Sequence, residues 1–424
     1  MSNTHPTWSP CQKKALNFLE TSADNIFLTG RAGTGKSFLI RHFLKDRNPK
    51  SFPVVASTGA AAIVVGGRTF HSFFGLGIME GGIEKTIERA TKDRRVVKRL
   101  QKIGGFVLDE VSMIPGPALR AAETICRIAR KKHLPWGGAR VIAVGDFAQL
   151  PPVSRGSQKK EWAFLDESWK KTQFTSIALE TIMRSEDSDY LSVLNHVRNG
   201  LVNDEVETYL NSRTNPDIDD LEQMEATHLF PHRETAENFN LKCLSELKKP
   251  LQKFPTIYTG KDRFVEQIKK NAPIPEVLQI KESALVMTRM NDPQMKYING
   301  SLGTILKISS EEITIQLKNG RIVEIEPATF SLLDANGDPI ATATNFPITL
   351  AYASTIHKAQ GATLDGMVCD LRRLWEPGQA YVALSRLRKG SDLTLTGWDA
   401  ASIRVDPDVI TFHQSLGKAV LPSW

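Results

Sequence analysis

The chain has 424 residues, of which 41% are hydrophobic and 24% charged, and a formal net charge of +7. This is globular composition with enough apolar material for two or three domains, and the modest basic excess admits a polyanionic partner without requiring one. The four cysteines, Cys11, Cys126, Cys243 and Cys369, make no C-x-x-C pair, which argues against a zinc site or a disulfide framework and fits a reducing compartment. The N-terminal "MSNTHPTWSP" has no apolar h-region, and no run approaches the roughly 18–20 apolar residues of a membrane span. A soluble, cytoplasmic protein without a targeting segment is expected.

Short apolar, β-branched runs alternate with helical stretches in the first half: "NIFLTG" (25–30), "FPVVAS" (52–57), "GFVLDE" (105–110) and "ARVIAVGD" (139–146). Continuous apolar runs of this length suit parallel strands buried on both faces, with functional residues at their carboxyl ends. Between the second and third lies "IEKTIERATKDRRVVKRLQK" (83–102), where Ile83, Ile87, Ala90, Val97 and Leu100 trace a helical stripe. Its other face carries Lys85, Arg89, Lys92, Arg94, Arg95, Lys98, Arg99 and Lys102, as a solvated helix face would. A second α/β pattern starts near 175, with "THLFPHRETAENFNLKCLSEL" (227–247) reading as strand, turn and helix. It is interrupted from about 301 to 346 by alternating strands around Asn-Gly turns, a small antiparallel barrel or hairpin set. It resumes with "ITLAYAST" and "GMVCDL".

"GRAGTGKS" follows a strand and opens a helix, the context a phosphate loop requires. The backbone of Gly30, Ala32, Gly33, Thr34 and Gly35 would cradle phosphates, Lys36 would reach the β- and γ-phosphates, and Ser37 would ligate Mg²⁺. Asp109, ending the third strand, suits Mg²⁺; Glu110 suits activation of the attacking water. Gln149 in "GDFAQLPP" is placed to sense the γ-phosphate. ATP and Mg²⁺ are the implied cofactors.

The ordered set "GRAGTGKS", "STGAAA", "TFHSFFGLG", "LDEVSM", "GGARVIAVGDFAQLPPV", "STIHKAQGAT" and "AYVALSRLR" resembles superfamily 1, subgroup B helicases. Within them it is most similar to the petite-integration-frequency (PIF) family of DNA helicases, with RecD-like enzymes as cousins. The resemblance covers about residues 10–400. It implies an α/β fold of two RecA-like P-loop motor domains: residues 1–175, and 176–300 with 347–424. A wedge at about 74–103 would lie in the first and an SH3-like β insertion at 301–346 in the second. It further implies that Gln12 reads adenine (beside Cys11, where many members carry Glu) and that Arg184 and Arg386 are arginine fingers reaching the γ-phosphate from the opposite domain. Gln360 and Gly361 would lie toward the nucleotide.

For single-stranded DNA the resemblance points to Ser57, Thr58, Gly59, Thr69, Phe70 and His71 in the first domain. In the second it points to His232, Arg233, Asn299, Gly300, Thr355, His357 and Lys358. Short hydroxyls and backbone N–H groups grip phosphate without reading sequence, and aromatic rings stack on any base. Phe73 and Phe74 fit stacking or wedge contact, but core packing better. The implied activity is an ATP-dependent DNA helicase, monomeric, moving 5′ to 3′ on single strands and opening tailed or forked duplex, with single-strand-binding or replication proteins as further partners. The compact motor without long tails fits a bacterial or phage cytoplasmic enzyme. The competing readings are a translocase that remodels protein–DNA complexes with little unwinding, a passive DNA-binding module with an inactive ATPase fold, and RNA as the natural strand.

Overall fold

Ser9 caps the first helix, Pro10–Thr21, in a capping box with Gln12, and Pro10 occupies the first turn, where its missing N–H costs nothing. The apolar runs that follow become strands in a computed structural model, which describes residues 8–58, 62, 68–77, 79, 81–153, 160–217, 226–292, 294, 296–297, 299–333 and 339–416. Internal contacts divide the chain into two units: Met1–Arg184, Leu333–Asp338 and Asp406–Trp424 form one, and Ser185–Leu332 with Pro339–Val405 the other.

In the first unit, β1 (Ile26–Gly30), β2 (Val54–Ala56), β3 (Arg68–Thr69), β4 (Gly105–Asp109), β5 (Arg140–Val144) and β6 (Thr175–Leu179) make one sheet in the order β3-β2-β4-β5-β1-β6. Every pairing is parallel, as the apolar runs predict. Ile26, Leu28, Val107, Ile142, Val144 and Ile177 share one core cluster with Leu39, Ile40 and Phe43 of the helix after β1. Because β6 pairs along its whole length with β1, this unit extends past the expected boundary at 175. The expected single stripe at 83–102 is two helices, Gly82–Lys92 and Arg94–Lys102. Asp93 separates them because its carboxylate accepts from Arg95 N at 2.8 Å, capping the second helix. The break shifts the inward face to Thr86, Ala90, Val96 and Leu100. Arg89 bonds Leu76 O and Arg99 bonds Phe73 O, so part of the basic face anchors these helices.

In the second unit, β7 (Thr227–Phe230), β18 (Ala353–Thr355), β19 (Met367–Leu371) and β20 (Leu393–Trp398) form a parallel sheet in the order β18-β7-β19-β20. Between β7 and β18 run β8 (Gln252–Pro255), β9 (Ile257–Gly260), β10 (Val277–Ile280), β11 (Leu285–Thr288), β12 (Leu302–Ile308), β13 (Ile313–Leu317), β14 (Ile322–Ile325), β15 (Ala328–Leu333), β16 (Pro339–Asn345) and β17 (Ile348–Leu350). The expected insertion at 301–346 is antiparallel, but it does not close on itself. One sheet runs β14-β13-β12-β11-β17, and another runs β15-β16-β9, with β16 paired to β9. Flanking strands thus cover edges that the insertion alone would leave unpaired. The run "ITLAYAST" likewise splits, β17 joining the antiparallel sheet and β18 the parallel one.

The end of the chain departs further from expectation. The helix Pro407–Leu416 follows the second unit in sequence but belongs to the first. Phe412 stacks on Phe164 at 4.3 Å and meets Phe147 edge-on at 5.4 Å, and Trp162 Nε1 donates to Asp406 at 2.9 Å. These aromatic contacts draw residues 406–416 out of the second motor domain to which the sequence assigns them.

Candidate functional site

Apart from Gln12, which lies in the first helix, the nucleotide candidates of the first unit follow the carboxyl ends of its parallel strands, where open α/β sheets bind ligands. The loop after β1 turns through Gly33 and Gly35 at φ of 81° and 83°. A Cβ at Gly33 would lie 2.7 Å from Arg184 Cβ, and one at Gly35 2.5 Å from Gln12 Nε2, so glycine is required both by backbone and by space. The helix Lys36–Leu44 begins with no side-chain cap, leaving its first N–H groups to an anion. Lys36 Nζ lies 2.6 Å from Gly30 O and 3.1 Å from Arg31 O. Thr34 is fully buried, Ala32 half-buried, and Ser37 exposed.

Gln12 braces this loop. Its Nε2 donates to Thr34 O at 2.9 Å and its Oε1 accepts from Ser9 N at 3.1 Å. Both ends of the amide expected to read adenine are engaged here in joining the first helix to the phosphate loop. Arg184 is placed differently from expectation. It belongs to the unit that carries the phosphate loop, with its Cβ against Gly33 and the neighbouring Met183 N bonded to Gly33 O at 2.9 Å. It therefore does not approach from an opposite domain; the chain leaving β6 holds it beside the loop.

β4 delivers Asp109 and Glu110. Burial, then the adjacent Glu110 charge, pushes the Asp109 carboxyl up to about 7, against the pull of Lys36 and Arg41. Glu110 sits in the left-handed region (φ 53°, ψ 50°), uncommon for a side-chain-bearing residue and frequent at functional sites. Beyond β5, Asp146 is fully buried and Gln149 nearly so. Asp146 accepts from Ala148 N at 3.2 Å, and Gln149 N bonds Asp146 O at 3.0 Å. His413 Nε2 of the C-terminal helix stands 3.8 Å from Asp146. A buried Asp109 carboxyl whose charge is disfavoured by burial and by Glu110, and favoured by Lys36, fits a Mg²⁺–nucleotide, since a divalent cation would relieve that penalty.

Of the nucleic-acid candidates in this unit, Ser57 and Thr58 are half-buried after β2, and Gly59 lies outside the described residues. Thr69 Oγ1 accepts from Ser72 N at 3.2 Å and caps the short helix Phe70–Phe74. The Phe70 ring is fully buried, 4.9 Å from Phe74. It is a core residue and not the exposed stacking ring expected, because its ring packs into the buried aromatic group with Phe74. Phe73 and Phe74 are core as well. His71 is half-buried, and burial holds its pKa below the ordinary histidine value.

In the second unit, Thr355 of β18 lies in register with Phe230 of β7. This puts Thr355, His357 and Lys358 beside His232 and Arg233, the residues leaving β7. Thr355 Oγ1 accepts from Lys358 N at 3.1 Å and caps the helix Ile356–Ala359. His357 and Lys358 reach solvent. Surrounding protein lowers both pKa values, and Arg233 lowers that of Lys358 further. Gly300, at φ 92°, would place a Cβ 3.2 Å from Ala362 Cβ, and Asn299 N bonds Asn291 Oδ1 at 2.8 Å. Gln360 is half-buried and Gly361 exposed.

Arg386, expected as a finger, is buried. Its guanidinium bonds Val382 O at 2.7 Å, Ala359 O and Ala362 O at 3.3 Å each, and Ser385 Oγ at 2.7 Å. In this structure it clamps the segment carrying His357 and Lys358. Two features escaped the sequence reading. Trp375 is exposed after β19 and stacked on His232, and Phe412 with His413 supports the first sheet. The tryptophan in "RRLWEPG", just past a strand, was the one legible signal.

A family model for PIF1-like helicases matches residues 10–208. The ATP-dependent DNA helicase Pif1 of Bdellovibrio bacteriovorus is 50% identical over 406 residues, 96% of this chain and 91% of that protein. The longer PIF1 of Danio rerio is 34% identical, and the chain spans 62% of its length. A solved structure titled as Pif1 helicase from Bacteroides in complex with ADP-AlF3 and ssDNA superposes with a TM-score of 0.67 at 28% identity, covering 98% of each chain. With half of its residues identical to the Bdellovibrio bacteriovorus protein over nearly its whole length, the chain belongs to the PIF1-like helicase family.

Proposed function

We propose that this chain is an ATP-dependent DNA helicase that moves 5′ to 3′ along single-stranded DNA and opens tailed or forked duplex, acting as a monomer. The observation that carries the reading is the convergence of Lys36, Asp109, Glu110 and Gln149 on carboxyl ends of one parallel sheet, together with a basic second set at Thr355–Lys358 and His232–Arg233. Bound Mg²⁺ would compensate charge on the phosphate oxygens. Ser37 and Asp109 would hold it, and Lys36 would exchange its bonds to Gly30 O and Arg31 O for phosphate. Glu110 would orient the attacking water and accept its proton, while Gln149, fixed through Asp146, would sense the terminal phosphate. Arg233 and Lys358 would grip the DNA backbone through charge, a contact blind to sequence.

The test is strand separation with ATP and Mg²⁺ on matched 5′-tailed and 3′-tailed duplexes. Opening of the 5′-tailed form alone is expected, and Lys36→Ala should abolish it. Opening of the 3′-tailed form alone would overturn the polarity. ATP turnover on single strands with no duplex opened would favour the remodelling translocase instead.

A further inference from the structure

The loop after β19 presents a tryptophan where none of the family's motif residues lie. Trp375 is 43% exposed, unusual for the side chain with the most apolar surface to hide. Its ring stacks on His232 with centroids 4.8 Å apart and planes 17° from parallel. His232 itself is exposed, so neither ring is held by burial in the core.

The backbone beneath the ring is anchored on both sides. Leu374 N bonds Ser402 Oγ at 3.1 Å, and Arg404 Nη2 donates to Leu374 O at 2.8 Å. Trp375 N and Glu376 N both donate to Oε1 of Gln379, at 3.2 and 3.1 Å, and Gln379 is fully buried. Arg373, two residues before the tryptophan, is held at φ 57°, a conformation that costs energy in a residue with a side chain. A strained, fastened loop that shows a large apolar ring to solvent has the character of a binding element and not of an unfinished core.

Its position supplies the ligand class. β18, β7 and β19 are neighbours in the sheet, and their carboxyl ends carry, in order, His357–Lys358, His232–Arg233 and the Trp375 loop. Arg233 and Arg289 lie close enough to Lys358 to lower its pKa, with Glu237 acting the other way, and Glu376 faces His357. A flat ring pair beside clustered cations matches an unpaired nucleobase on a phosphate backbone.

We propose that Trp375, with His232 stacked against it, is a base-stacking platform for single-stranded nucleic acid. A base continues the two-ring stack while Arg233 and Lys358 hold its phosphates. The proposal rests on the helicase reading above and adds Trp375, to which that reading gives no role, and a stacking role for His232.

The experiment compares fluorescence-anisotropy titrations of two labelled oligonucleotides with the same backbone, one of thymidines and one abasic. The variants are Trp375→Leu and Trp375→Phe, both apolar, so that the loop keeps a hydrophobic side chain. Trp375→Leu should bind the thymidine strand about tenfold more weakly than wild type, in line with base–aromatic stacking. Trp375→Phe should recover most of that loss, and all three proteins should bind the abasic strand alike. Equal binding of thymidines by wild type and Trp375→Leu, or an equal loss on both strands, overturns the platform and leaves the helicase reading standing. A wild-type protein that binds neither strand overturns both.

Discussion

The guanidinium of Arg386 donates to the backbone carbonyl of Ala359 at 3.3 Å, closing the short helix that presents His357 and Lys358. The last carbonyls of a helix have no partner within it, and here a buried charge supplies one, reaching Ala362 O as well. Arg386→Ala removes both bonds and leaves buried acceptors, a cost of about 1–3 kcal/mol. The melting temperature should fall, and DNA-stimulated ATP turnover should fall more steeply than DNA affinity, because the grip persists but is no longer held in register. Turnover at saturating oligonucleotide, measured beside the binding constant, separates the two; a variant that melts like wild type would refute the clamp.

Gln12 joins the first helix to the phosphate loop through Ser9 N and Thr34 O. Gln12→Ala should cost roughly 1–3 kcal/mol of stability from the buried amide partners left unpaired. It should also raise the KM for ATP, because the loop loses its brace. Thermal melts with and without nucleotide report the two effects separately. If KM rises while the melt is unchanged, the brace is not a stabilising contact and the residue acts on nucleotide alone.

Cys11 is half-buried beside this brace, whereas Cys126, Cys243 and Cys369 are buried. Burial pushes the Cys11 thiol up, but its hydrogen bonding with Ser9, Thr181 and the Glu180 backbone outweighs this and brings the pKa to about 7. The folded protein therefore favours the thiolate above pH 7, more than a unit below the roughly 8.5 of a free thiol. The rate of alkylation by a small neutral reagent should rise with a midpoint near pH 7 and be lost in Cys11→Ser. A midpoint at the free-thiol value would show that those hydrogen bonds do not form.

Phe412 fills an aromatic cluster with Phe27, Phe147, Phe164 and Trp169. Being only partly buried, it should contribute less than a fully enclosed ring. Phe412→Ala is expected to cost roughly 2 kcal/mol, seen as a lower denaturation midpoint. Phe412→Leu should recover part of it.

The parallel sheet of the first unit was legible because strands buried on both faces must be continuously apolar, as "GFVLD" and "RVIAV" are. The phosphate loop was legible because only glycine tolerates the turns at Gly33 and Gly35. Long-range placement was not legible. Nothing local in "LETIMRSED" says that Arg184 lies against Gly33, since the hydrogen bond from Met183 to Gly33 spans 150 residues of sequence. Phe70 read as an exposed ring because the sequence does not show which way a Thr69-capped turn faces. The break at Asp93 was hidden by an unbroken apolar period, although an aspartate before a basic run is a recognisable N-cap. Trp375 was passed over because exposure is a property of the fold and not of the residue.

The helix Pro407–Leu416 has a consequence for how the molecule is made. Its phenylalanine is part of the aromatic cluster on the first sheet, yet the ribosome delivers it only after every residue of the second unit has emerged. The sheet carrying the phosphate loop can form early but stays unfinished on that side until residues 407–416 arrive, which adds a strongly non-local step to its folding. For the same reason, a fragment ending at Arg184 would carry every nucleotide candidate of the first unit and still lack part of its own interior.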